Sequence, residues 1–107
     1  MVVESVEVVV RNYLRVVRAA GIDATRAILF GSYARGDANE WSDIDIIVIA
    51  PMFDQRRDHE LVSKLWTLRV DTDSRIEPIA CGEREWETDD GRPILEYARL
   101  EGVEIAA

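Results

Sequence analysis

The sequence predicts an α/β (α+β) fold, a small mixed β-sheet flanked by helices, and three observations lead to it. Segments of helical periodicity open, divide and close the chain. Short β-branched runs ending in Gly or Pro lie between them. The balance is globular, 48% hydrophobic and 32% charged, which suits a single domain over 1–107.

The first helix is expected over 5–20. Val6, Val9, Val10, Tyr13, Leu14 and Val17 share one side, Arg11, Arg15 and Arg18 the other, and Gly21 stops it. Ser5 is the candidate cap. The β-branched valines weaken local preference, so this helix depends on packing. Residues 24–31 (ATRAILFG) read as a buried strand and 32–41 as a polar loop. Residues 43–50 (DIDIIVIA) carry the strongest strand signal, closed by Pro51. Leu61, Leu65 and Leu68, with Val62 and Trp66, mark a helix over 56–69, and Trp66 is expected in the core with the leucines. Residues 75–81 (RIEPIAC) form a third strand, where Pro78 implies an edge or a bulge. Residues 84–93 read as a loop or weak helical turn, and a last helix runs from Pro93 to Gly102.

The net charge is −8, from 21 acidic and 13 basic side chains, which argues against a long contact with nucleic acid. A nucleotide remains compatible, because divalent cations screen a few phosphates at an acidic site. Cys81 is alone, so no intramolecular disulfide forms; its apolar neighbours suggest a buried thiol. Glu4, Glu7 and Arg11 interrupt the apolar N-terminal run, so neither a signal peptide nor a membrane span is expected. A soluble, cytoplasmic protein follows from these expectations.

The chemistry concentrates in residues 30–50, FGSYARGDANEWSDIDIIVIA. Gly31 and Ser32 follow a strand directly, where backbone N–H groups and a hydroxyl can meet a phosphate. Asp43 and Asp45 are two apart, so in a strand they point the same way, about 6.6 Å apart at ~3.3 Å per residue. Two such carboxylates are costly without a cation, and Mg²⁺ is the usual one. The alternative is a strand that begins at Ile44, with both aspartates solvated at its edge. Glu77 supplies a third acid if its strand lies beside 43–50; Asp71 and Asp73 compete from the preceding turn, and Glu77 is preferred. Three acids on one face suit a two-metal site, with Glu77 able to accept the acceptor's proton.

Gly31-Ser32, ten residues, then Asp43-x-Asp45 resembles the signature of the DNA polymerase β-like nucleotidyltransferases. More narrowly it is similar to the minimal nucleotidyltransferase proteins of prokaryotes. Arg35-Gly36, Ser42-Asp43 and the final LEYARLEGVEIA add to the likeness. The resemblance implies the polymerase β-like fold and transfer of AMP, or another NMP, from ATP. It assigns two Mg²⁺ ions (Mn²⁺ possible) to Asp43, Asp45 and Glu77, and the nucleotide to Gly31, Ser32, Arg35 and Ser42. It also implies the antitoxin role of type VII systems, adenylylating a tyrosine of a HEPN ribonuclease, in a hetero-oligomer or a homodimer. The alternatives are neutralisation of that partner by contact alone and transfer to a small molecule. Glu stands at position 77 where relatives often have Asp, and Pro78 follows it.

Several residues carry a plainer reading beside the functional one. Arg35 either reaches a phosphate or is an exposed helical arginine; Tyr33 is expected to pack; Trp41 lines the pocket or, preferably, covers the sheet. His59 reads as solvated, and Lys64 gives only weak support to a triphosphate site.

Overall fold

The β-branched run behind the Asp-x-Asp stretch becomes an inner strand of a mixed sheet in the computed structural model. The structure describes residues 2–39, 41–88 and 91–107, without the side chains of 2–5. In order the elements are α1 (Val2–Ala19), β1 (Arg26–Phe30), α2 (Ser32–Arg35) and β2 (Ile44–Ile49). A 3₁₀ turn (Pro51–Asp54), α3 (His59–Leu68), a second 3₁₀ turn (Arg69–Asp71) and β3 (Ile76–Cys81) follow. The chain ends in α4 (Glu83–Thr88), α5 (Pro93–Glu101) and β4 (Val103–Ala106).

Among the described residues the strand order is β3-β2-β1-β4, with β2 and β3 parallel and the other pairs antiparallel. The sheet is thus mixed and flanked by helices, as the periodicities indicate. Its two faces bury different sets. Ile44, Ile46 and Val48 of β2 pack with Val10, Tyr13 and Leu14 of α1 and with Leu61 and Leu65 of α3. Ile47 and Ile49 join Ile28, Phe30 and Cys81 under Leu95 and Ala98 of α5. Strand side chains alternate, so Asp45 lies on the α5 side, and in β3 Glu77 shares that side with Cys81.

Local chemistry explains most boundaries. Asp58 caps α3 by accepting the Leu61 N–H at 3.0 Å, which starts that helix at His59 and not at 56. Helix α1 begins ahead of Ser5, whose side chain is outside those described. Pro78 sits in β3, an edge strand, where its missing N–H leaves no gap in the ladder. Cys81 is fully buried, and burial, with Glu85 beside it, pushes its thiol up to about 12.

Two readings need correction, those of Trp66 and Trp41, and two elements add to what the sequence indicated. Trp66 is 38% exposed and lies under the Arg69 guanidinium at 4.7 Å, because it is one helical step round from the buried Leu65. Trp41 is 85% exposed and covers no part of the sheet. Residues 83–88 form a helix, α4, whose Glu85 and Arg84 N–H groups are held by the Asp54 carboxylate. Residues 103–106 form β4, paired to β1 through Ala27↔Ile105. Only Ile105 of β4 is buried, so its alternation was too faint to stand out.

Candidate active site

Parallel pairing of β2 with β3 sets Asp45 directly opposite Glu77, while Phe30 of β1 faces Asp45 from the other side. Asp43 precedes β2 and is exposed. The strand therefore begins at Ile44, yet Asp45 lies within it and is half-buried. The three acids gather where β2 and β3 begin and β1 ends.

Gly31 occupies that same end. Its backbone (φ 76, ψ −153) lies in a region that favours glycine. A Cβ at position 31 would overlap Asp45 Oδ2 and stand 3.3 Å from its Cγ, so the carboxylate uses the space a side chain would need. The Gly31 carbonyl accepts the N–H groups of Ala34 and Arg35 at 3.1 Å each, which turns β1 into the single-turn helix α2 headed by Ser32. The Gly31 N–H donates to Glu101 Oε1 at 3.0 Å. Arg35 donates to the Tyr97 hydroxyl at 2.8 Å and to Asp37 at 3.3 Å, and lies 3.6 Å from Glu101. Ser42 Oγ accepts the Asn39 N–H at 3.0 Å, so it shapes the loop that delivers Asp43.

Charge is concentrated there. Burial raises the Asp45 carboxyl above its ordinary range, and the Asp43 charge adds to it, against contact with Glu77 and the Arg35 charge. Glu77 is raised first by burial, then by the charge and hydrogen-bonding contact of Asp43 and by Asp45, with Arg69 opposing. Among the described residues no group of three or more His, Cys, Asp or Glu side chains stands ready-made to hold a metal ion.

The competing acids are otherwise engaged or exposed. Asp73 pairs with Arg75 at 2.7 Å, and this contact holds its carboxyl below the usual range; Asp71 is exposed. Tyr33 is buried, and its hydroxyl accepts from Arg75 at 3.0 Å and donates to the Asn39 carbonyl at 3.3 Å. Lys64 donates to the Ala20 carbonyl at 2.7 Å, and His59 is exposed at the start of α3. Glu101 is the participant that sequence reasoning did not single out. Its only signal is its place before Gly102, which lets the chain pass close to Ile28 and the Ala98 carbonyl.

Residues 10–95 match the family model described as nucleotidyltransferase domain. Over 37 residues the chain is 57% identical to MJ1305 of Methanocaldococcus jannaschii, named as a candidate protein adenylyltransferase, covering 35% of this chain and 25% of that one. MJ0141 of the same organism, named likewise, is 40% identical over 40 residues, 37% of this chain and 40% of that one. The chain thus spans well under two thirds of the length of either relative. Two solved structures share the fold. A candidate nucleotidyltransferase from Sulfolobus solfataricus gives a TM-score of 0.61 at 16% identity, covering 97% of this chain and 86% of that one. A toxin–antitoxin structure with AMP-PNP gives 0.60 at 22% identity, covering 86% and 68%. With one family match running from within α1, through the Gly31 turn and both acidic strands, into α5, the chain belongs to the nucleotidyltransferase domain family.

Proposed function

We propose that this chain transfers a nucleoside monophosphate, AMP from ATP first among them, to a hydroxyl of a partner protein, and thereby acts as an antitoxin. One observation carries the proposal: Asp45 and Glu77 are register partners on adjacent parallel strands, with Asp43 two residues ahead and electrostatically coupled to both.

The donor set suits hard divalent cations, Mg²⁺ or Mn²⁺, because all three groups are carboxylates whose mutual repulsion a cation relieves. Asp43, Asp45 and Glu77 would hold them. Such ions, when bound, supply charge neutralisation at the phosphates. The remaining roles belong to the chain. The Gly31 turn and Ser32 receive the triphosphate, Ser42 shapes the loop beside it, and Arg35 adds positive charge at its edge. Glu77 accepts the proton of the attacking hydroxyl as its oxygen bonds the α-phosphorus; the bond to the bridging oxygen breaks and pyrophosphate leaves. Little covalent work falls to the protein, so positioning and electrostatics carry the rate.

The names of the two relatives, candidate protein adenylyltransferases, support a protein acceptor. The toxin–antitoxin neighbour with AMP-PNP supports ATP and a toxin partner, for which a HEPN ribonuclease tyrosine is our specific choice, in a hetero-oligomer. A second reading, neutralisation by contact alone, draws on the exposed Trp41 (85%) and Leu100 (88%), both suited to burial against a protein. Incubation with Mg²⁺, ATP labelled at the α-phosphate and the protein encoded beside this chain separates the two. Label is expected on the neighbour, reduced about 100-fold or more by Asp43→Asn/Asp45→Asn. A stable complex without label, formed equally by the double variant, would leave only the contact reading.

A further inference from the structure

A carboxylate on α5 reaches across to the turn that opens the candidate site. Glu101 is the last residue of α5, and its Oε1 accepts the Gly31 N–H at 3.0 Å. The same oxygen lies 3.6 Å from Arg35 Nη1, and its side chain is only 22% exposed. One turn back on α5, Tyr97 receives a hydrogen bond from that same Arg35 nitrogen at 2.8 Å. The reach is fixed from behind. The Gly102 N–H donates to Ala98 O at 2.7 Å, and a Cβ at Gly102 would overlap Ile28 Cγ2 and that carbonyl. Beyond it, Val103 pairs with Leu29, two residues before Gly31. The end of α5 and the start of β4 are thus tied to β1 ahead of the turn and to α2 beyond it.

This arrangement bears on the geometry of the site. Gly31 has no side chain to set its own conformation, and glycine is the residue with most backbone freedom to lose. Its missing Cβ is also what makes room for Asp45 Oδ2. Whatever holds the Gly31 peptide plane therefore holds both the start of α2 and the space occupied by Asp45. Glu101 does this with a hydrogen bond to a carboxylate, a class stronger than neutral ones. We propose that Glu101 is a positioning residue, one that clamps the Gly31 turn and Arg35 together so that the turn stays in register with Asp45. It acts through Gly31 and Arg35 and is assigned no contact with the reacting atoms.

The proposal rests on the nucleotidyl-transfer reading for its kinetic test, but not for its structural one. Glu101→Ala removes both contacts, whereas Glu101→Gln keeps an oxygen acceptor for the Gly31 N–H and loses the charge facing Arg35. Amide hydrogen exchange at Gly31, read by NMR on the full chain, is expected to accelerate at least tenfold in Glu101→Ala and to stay near wild type in Glu101→Gln. In the labelled-ATP assay Glu101→Ala should lower kcat/KM by about 10- to 100-fold, chiefly through KM for ATP, with Glu101→Gln restoring most of it. Tyr97→Phe, which takes one partner from Arg35 and leaves Gly31 alone, should leave the exchange rate unchanged. Unaltered Gly31 exchange and unaltered KM in Glu101→Ala would overturn the clamp. If Glu101→Ala does not fold, a Gly31 amide that already exchanges in the wild-type protein as fast as an unprotected one would overturn it equally. Should the wild type transfer no label, the proposed function fails while Gly31 exchange still decides the clamp.

Discussion

At the scale of single residues, the site is defined by what Gly31 lacks and what Asp45 fills. A Cβ at 31 would stand in the carboxylate's place, so any larger residue there displaces Asp45 from its position opposite Glu77. Away from the site, Glu85 is the one charged residue buried among the described residues. It is 8% exposed, accepts from Arg57, from Arg92 at 2.8 Å and from the Gly82 N–H at 3.2 Å. Burial, the largest single influence, would raise its carboxyl; the Arg92 and Gly82 hydrogen bonds and the Arg92 and Arg57 charges outweigh it and hold it below the ordinary range. A depressed folded-state carboxyl stabilises above its unfolded value, near 4.3, and that stabilisation fades as pH falls through the folded value. Glu85→Gln should therefore cost about 2–3 kcal/mol at neutral pH, toward the low side because both arginines are partly solvated. Urea melts should show the gap from wild type narrowing below about pH 4. A gap that widened on acidification would contradict this sign.

Elements differ in how openly the sequence announces them. Strand β2 was legible because five of its six residues are isoleucine or valine, and α1 because its apolar stripe keeps helical spacing. Helix α2 was not, since four residues are too few to show a period, and it exists because Gly31 O captures two N–H groups. Helix α1 is anchored by more than its stripe. Tyr13 is fully buried, its hydroxyl donates to the Leu65 carbonyl of α3 at 2.6 Å, and burial raises the phenol well above its normal range against the Arg69 charge. Tyr13→Phe keeps the ring and strands the carbonyl, so it should cost about 1–2 kcal/mol. The reading is the urea midpoint, with helical circular dichroism unchanged. An unchanged midpoint would mean that apolar packing alone joins α1 to α3.

For the whole molecule, the acid cluster and the net charge of −8 predict how stability answers to ions. A cation that binds only the folded state raises stability by mass action, about 2.7 kcal/mol at a hundredfold excess over Kd. Mg²⁺ should therefore raise Tm by several °C beyond NaCl of equal ionic strength, and EDTA should reverse the rise. Asp43→Asn/Asp45→Asn should retain only the general salt response. Equal responses in wild type and variant would remove the cation from these carboxylates without reference to any activity.

The sequence alone determined strands β1, β2 and β3 and helices α1, α3 and α5, because each rests on periodicity within about ten residues. Tertiary structure decided the rest. Asp73 and Glu77 are four residues apart, and only the register of β3 against β2 puts Glu77, and not Asp73, opposite Asp45. Glu101 meets Gly31 across seventy residues of chain, since α5 and β4 flank β1. Such contacts arise from how two buried faces pack, which no local pattern encodes.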